Sequence, residues 1–224
     1  MKRLQTDWLD ILYLHHWDDH TAIEESLSAI TTLVEHGKMH YGGVSNFSAW
    51  QTMNAIACAR SNGYAPVTCI QPMYNLVKRQ AEVEILPLAL HEQLAVCPYS
   101  PIAAGLLTGK YARGESGRIK DHAMYAERYK RDEYWEIATQ FVAYANQHRY
   151  TPSALATRWV IDHPAVTSAI IGARNLDQLN QALESADFSL TPEQRAEITA
   201  LSIDPPLATD REPMKIAMDM LLKK

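Results

Sequence analysis

Cysteine is scarce in this chain. Cys58, Cys69 and Cys97 are its three thiols, widely spaced and without a CxxC pair. Such thiols read as ordinary buried residues, and they suit a reducing compartment better than a disulfide framework. No apolar run reaches the roughly 18 residues that a membrane helix needs. The opening MKRLQTDW lacks the apolar stretch of a signal peptide, so a cytoplasmic location is expected and no membrane partner. Lys and Arg form no clustered stripe, and 21 of them against 26 acidic residues leave a net charge of -5. That balance argues against nucleic acid and leaves a small molecule as the expected partner. Internal repeats, low-complexity tracts and linkers are absent too, so residues 1–224 read as a single domain.

What is present is an alternation of short apolar runs with helical periodicity. Asp10–Leu14 reads as a strand. Thr21-x-x-Glu24 then reads as a capping box, with Ile23, Leu27, Ile30 and Val34 at helical spacing and Gly37 at the stop. Met39–Val44 is a strand, followed by a helix from about Ala49 to Asn62 that Gly63 closes. Val67–Ile70 is a strand, and Glu82–Leu94 reads as a helix disturbed by Pro87. Ala95–Tyr99 is a strand, after which a long loop from Ser100 to about Arg131 precedes two helices, the second opened by Thr151-Pro152. Thr167–Ile171 is the last strand. Leu176–Glu184 follows as a helix, Thr191-Pro192 opens another, and a short helix is expected at Lys215–Leu222.

Five βα units of this kind predict crossover connections and a parallel α/β sheet, whose chemistry gathers at the carboxyl ends of the strands. The polar residues there are His15, Ser45-Asn46, Gln71, Tyr99-Ser100 and Gly172-Ala173-Arg174. Taken singly, each has an ordinary structural use. A lone histidine on an apolar run is commonly a core residue, Ser45-Asn46 reads equally as an N-cap pair, and Arg174 as a surface charge. His15, His16, Asp18, Asp19 and His20 match no zinc spacing, so no metal is expected. Trp17 reads as a candidate pocket wall, and Trp50, Trp135 and Trp159 as packing residues.

Taken together, LQTDWLDILYLHHWD, GKMHYGGVSNF, QPMYNL, VCPYSPIAAGLLTGKY and IIGARNLDQL occur in order along nearly the whole chain. In this they resemble the aldo-keto reductases, in the branch that includes the potassium-channel β-subunits. The resemblance implies a (β/α)8 TIM barrel and NADPH-dependent reduction of an aldehyde or ketone. By motif position it makes His15 the residue that orients the substrate carbonyl. It makes Ser45, Asn46 and Gln71 the partners of the nicotinamide carboxamide, and Tyr99 the platform under that ring. Ser100, Gly105 and Leu106 would cover the pyrophosphate, and Gly172, Arg174 and Gln178 would hold the adenosine end. A guanidinium presents a bidentate fork to a 2′-phosphate, so Arg174 favours NADPH over NADH.

Two departures accompany the resemblance. Ala182 stands where the family usually has Asn, and the Asp, Tyr and Lys of the family's catalytic tetrad have no counterpart here. The sequence reads as starting just before the family's fourth strand. The expectation is therefore an incomplete barrel of about five parallel βα units, amino-terminally truncated, with unpaired edges at Asp10–Leu14 and Thr167–Ile171. Such edges invite self-association. Impaired turnover is expected, or alternatively a cofactor-binding or partner-binding remnant without catalysis. Tyr13 shares the strand parity of His15 but lies too deep to replace the missing acid.

Overall fold

The computed structural model describes residues 2–209; the helix expected at Lys215–Leu222 lies outside them. Four strands form one sheet in the order β1 (Leu9–Leu14), β2 (Met39–Ser45), β3 (Val67–Gln71) and β4 (Ala95–Val96), every pair parallel. Leu12 lies beside Gly42, Ser45 beside Gln71 and Ile70 beside Val96. This is consistent with an incomplete (β/α)8 barrel.

The expected fifth strand does not form. Thr167–Ile171 runs along β4, with Thr167 N–H donating to Val96 O (2.9 Å) and Ile170 N–H to Pro98 O (2.8 Å), but it makes only a single bridge, from Ile170 to Tyr99. The reason lies in its neighbour. Pro98 has no N–H to offer a ladder, and the Val96 N–H is taken by the Thr167 hydroxyl at 3.1 Å.

The helices are α1 (Ile23–Glu35), α2 (Ala49–Asn62), α3 (Ile85–His91), α4 (Arg118–Asp121), α5 (Ala123–Arg128), α6 (Asp132–Gln147), α7 (Pro152–Ile161), α8 (Leu176–Leu183) and α9 (Pro192–Ala200). The Thr21-Glu24 capping box is not made. Ala22 holds the N-cap position without a side-chain bond, and the Thr21 hydroxyl donates to Asp18 Oδ2 at 2.6 Å instead. Ser48 and Gln51 make the reciprocal box at α2, so Ser45-Asn46 is free of capping duty. A 3₁₀ turn at Gln80–Glu82 precedes α3, which restarts at Ile85 and leaves Pro87 in its first turn, where a missing N–H costs little. At α9, Thr191 and Gln194 make the expected box.

One apolar core joins the sheet to the helices. Val44, Ile70 and Val96 are fully buried, with Leu27, Leu86, Phe141 and Trp159 packed in the same cluster. Beside it a buried guanidinium organises an ionic network that reaches out to the exposed Asp204. The guanidinium of Arg79, 7% exposed, donates to both carboxylate oxygens of Glu82 and, through Nη1, to Asp204 Oδ1 at 2.8 Å. Glu82 also accepts from Tyr74 Oη (2.5 Å), which in turn accepts from Arg195 Nη2 (3.2 Å). A buried guanidinium is tolerable only when saturated in this way.

The opposite sheet face is built around Gly43. A β-carbon there would stand 2.5 Å from Cys69 Sγ and 2.7 Å from the Tyr13 ring, so only glycine lets that ring lie across β2. Further toward the open edge this face is bare: Ile11 is 39% and Tyr41 56% exposed, and across the molecule Leu176 of α8 is 74% exposed.

Two outcomes follow. Gly43→Ala should lower unfolding free energy by about 1–3 kcal/mol through overpacking; chemical denaturation checks it, and unchanged stability would mean that Tyr13 moves away freely. The purified chain should elute in size-exclusion chromatography ahead of a 25.3 kDa monomer, because unpaired apolar edges associate.

Candidate functional site

The strand-end residues meet around Asn46. Its Nδ2 donates to His15 O at 2.9 Å and to Ser45 Oγ at 3.1 Å, and its Oδ1 accepts from Tyr99 Oη at 2.6 Å. Ser45, almost fully buried, passes the network on by donating to Gln71 O at 2.9 Å. One amide thus ties the ends of β1 and β2 to the segment after β4. The geometry requires Asn46 to adopt φ 55°, a left-handed conformation that asparagine tolerates better than most residues. Burial pushes the Tyr99 phenol above its ordinary value, so it stays protonated and donating.

His15 and His16 are both exposed and meet edge-on at 4.8 Å. The strand ends at Leu14, ahead of the pair, so strand alternation buries neither of them. Beside them Trp17 packs edge-on against Phe47 (5.3 Å) and Trp50 (5.4 Å), while its indole N–H donates to Asp19 Oδ1. Trp50 departs from the packing role expected of it, being 63% exposed.

From Tyr99 onward the chain turns into a cleft of about 580 Å³. Tyr99, Ser100 and Gly105 line one side, and Gly172, Arg174 and Gln178 another. Ala182 also lines it. Leu106 is buried and stands behind the wall, while His15, Ser45, Asn46 and Gln71 lie outside the cleft lining. Ser100 takes φ 61°, and its carbonyl accepts from Nδ2 of the fully buried Asn75 at 3.0 Å. Gln178 uses its amide oxygen to accept the Arg174 N–H at 3.0 Å, so it braces the backbone that carries the arginine. A more open hollow beside α4 and α5 shares Arg118 and Tyr125 with this cleft and gathers no strand-end residue.

Lys110, Arg113 and Arg118 also line the cleft, and they were missed in the sequence. With Arg174 they set four cations against the carboxylates of Glu115 and Asp177, and Glu115 is paired with Arg113 at 2.8 Å. Burial first, and then the charge of Arg174, draw the Lys110 ammonium below its usual range. Lys110 lies over the Tyr111 ring (4.9 Å), and a β-carbon on Gly105, at φ 92°, would come within 2.6 Å of its Cε. This is a crowded, under-neutralised cationic wall with a glycine cut into it, and a phosphate-bearing ligand fits it. Lys110 and Asn75 both sit inside motifs quoted above, but nothing in their spacing announced where the folded loop would carry them.

Comparison with known proteins gives a consistent result. The sequence model described as Aldo/keto reductase family matches residues 1–203. The chain is 33% identical over 194 residues to the "Uncharacterized oxidoreductase YrpG" of Bacillus subtilis (strain 168), covering 86% of this chain and 58% of that protein. It is 31% identical over 197 residues to the "Putative aryl-alcohol dehydrogenase AAD10" of Saccharomyces cerevisiae (strain ATCC 204508 / S288c), covering 87% of this chain and 68% of that one. It is 35% identical over 207 residues to the human "Aflatoxin B1 aldehyde reductase member 2", covering 84% of this chain and 57% of that one. The chain therefore spans a little over half the length of two of these relatives.

The state of Lys110 generates a pH test. Its pKa is lowered on folding, so the unfolded chain binds that proton more tightly, and the charged lysine opposes folding below its folded pKa. The opposition fades as pH rises from there toward the ordinary lysine value. Lys110→Met should therefore raise the melting temperature of the ligand-free chain at neutral pH, with the gain shrinking at alkaline pH; a pH series of thermal melts checks both the sign and the trend.

Proposed function

Because this chain belongs to the aldo/keto reductase family of oxidoreductases, we propose that it binds NADPH and serves the reduction of an aldehyde or ketone. One observation carries the reading. The hydrogen-bonded group of Ser45, Asn46 and Tyr99 runs directly into a cation-lined cleft, with Tyr99 belonging to both. A reduced nicotinamide supplies the hydride, and the residues supply its placement. Tyr99 offers an aromatic face to a flat ring, while Asn46 Oδ1 and the Gln71 amide offer partners that fix its rotation and Ser45 holds Asn46 in place. His15, at the rim, orients a carbonyl oxygen. Holding both reactants in one geometry is the main contribution such a site makes.

Along the cleft, Ser100 and Gly105 cover the phosphates, with Lys110 and Arg118 neutralising them. Arg174 meets a 2′-phosphate: among the described residues its guanidinium has no hydrogen-bond or ion-pair partner, and its backbone is braced by Gln178. For the substrate, the aromatic group of Trp17, Phe47 and Trp50 supports a planar, apolar carbonyl compound. The relatives named for aryl alcohols and for an aflatoxin aldehyde point the same way.

A second reading is that these residues bind cofactor without turnover. Tyr13 favours it. Burial first, and then its interaction with the Cys69 thiol, raise its phenol well above the ordinary range, which makes it a poor proton donor. General acid assistance is worth about 10²- to 10⁴-fold, so on this reading the chain should reduce carbonyls slower by about that factor than an enzyme with a competent proton donor.

Titration of the purified chain with both nucleotides tests cofactor choice. NADPH should bind about tenfold or more tightly than NADH, since a charge-assisted bidentate contact is worth about 1.5–3 kcal/mol. Arg174→Ala should erase most of that preference. Equal affinities in the unmodified chain would overturn the assignment.

A further inference from the structure

The start of α7 has a polar group that the fold leaves unused. Ser153 is 8% exposed, and its hydroxyl makes no hydrogen bond among the described residues. Buried hydroxyls almost always find a partner, and one without a partner calls for a reason. The fold does not supply one here: the neighbouring Thr157 hydroxyl has its own acceptor, donating to the carbonyl of Ser153 at 2.9 Å, while Ser153 Oγ stays idle. The residue lines the same cleft as Gly172, Arg174 and Gln178, together with Thr151, Pro152 and Thr157.

The helix end itself is equally unspent. Thr151 occupies the N-cap position of α7 but makes no side-chain cap, and Pro152 at N1 has no N–H. The first backbone donor to gain an intrahelical acceptor is Leu155, bonded to Thr151 O at 2.9 Å. The N–H groups of Ser153 and Ala154 therefore face the positive end of a ten-residue helix without helical partners. A hydroxyl and two N–H groups without helical partners, at one helix N-terminus on the cleft, offer donors to an oxyanion.

We propose that Ser153 is a binding residue whose hydroxyl, with the first turn of α7, donates hydrogen bonds to the adenosine-side phosphate of the dinucleotide. This rests on the dinucleotide reading above. The adenosine side is chosen because Ser153 shares its cleft with the residues from Gly172 to Gln178, whereas Ser45, Asn46 and Gln71 do not line that cleft.

Ser153→Ala is the test, since alanine suits a helix and removes only the hydroxyl. Calorimetric titration of the wild type and the variant with NADPH, with ADP-ribose and with nicotinamide mononucleotide is paired with thermal melts of both ligand-free proteins. The variant should bind NADPH and ADP-ribose about five- to tenfold more weakly, bind nicotinamide mononucleotide as the wild type does, and melt no lower than the wild type when empty. A lower melting temperature in the empty variant would assign the hydroxyl to the fold and overturn the proposal. So would equal affinities for NADPH and ADP-ribose in the two proteins, or a loss confined to nicotinamide mononucleotide. Failure of the wild type to bind NADPH at all would overturn the dinucleotide reading and this proposal with it, whereas tight binding indifferent to Ser153→Ala would overturn only the proposal.

Discussion

The amide of Asn46 is the contact on which the site depends. Parallel strands deliver their carboxyl ends to one rim, but each end is a free chain leaving a ladder, and nothing in the ladder fixes where the next side chain points. Asn46 fixes three of them at once, through His15 O, Ser45 Oγ and Tyr99 Oη. Its left-handed backbone turns the amide back across the strand ends. That conformation has a cost of its own, and bonds at 2.6 to 3.1 Å hold it in place.

Much of this rim was legible in the sequence because strand ends can be located by pattern alone. Apolar runs terminating in Ser45, Gln71 or Tyr99 place those residues on one side of a parallel sheet before any coordinate is known. The partners across the rim were not legible. That Ser48, two residues beyond Asn46, caps α2 depends on where the helix starts; at α1 a shift of one residue left Thr21 bonded to Asp18 and the helix without its box. The fifth strand failed for a similar reason, since Pro98 and the Thr167 hydroxyl occupy positions that a ladder needs. Local patterns name the candidates for a role, and backbone register chooses among them.

The loop from Ser100 to Arg131 was the least readable stretch and carries much of the electrostatics. It reads as irregular because its glycines and cations lack period, yet it folds into a 3₁₀ turn and two short helices that bring Lys110 and Arg118 opposite Arg174. Lys110, Arg113 and Arg118 lie near one another along the chain, but Arg174 joins them only in three dimensions. An overall charge of -5 coexists with a locally positive wall, so net charge alone does not report on a small phosphorylated ligand.

The ionic network around Arg79 bears on how the chain is made. Its members lie far apart in sequence: Arg79 and Asp204 are 125 residues apart, Tyr74 and Arg195 are 121, and Ser202 reaches Leu76 across 126. During synthesis, β1 to β4 leave the ribosome long before α9 does, so the buried guanidinium has only Glu82 to face for most of that interval. Closing such distant contacts is slow and leaves apolar surface open meanwhile. Chains halted before Asp204 should thus keep this surface open, and addition of the segment from α9 to Asp204 closes the network.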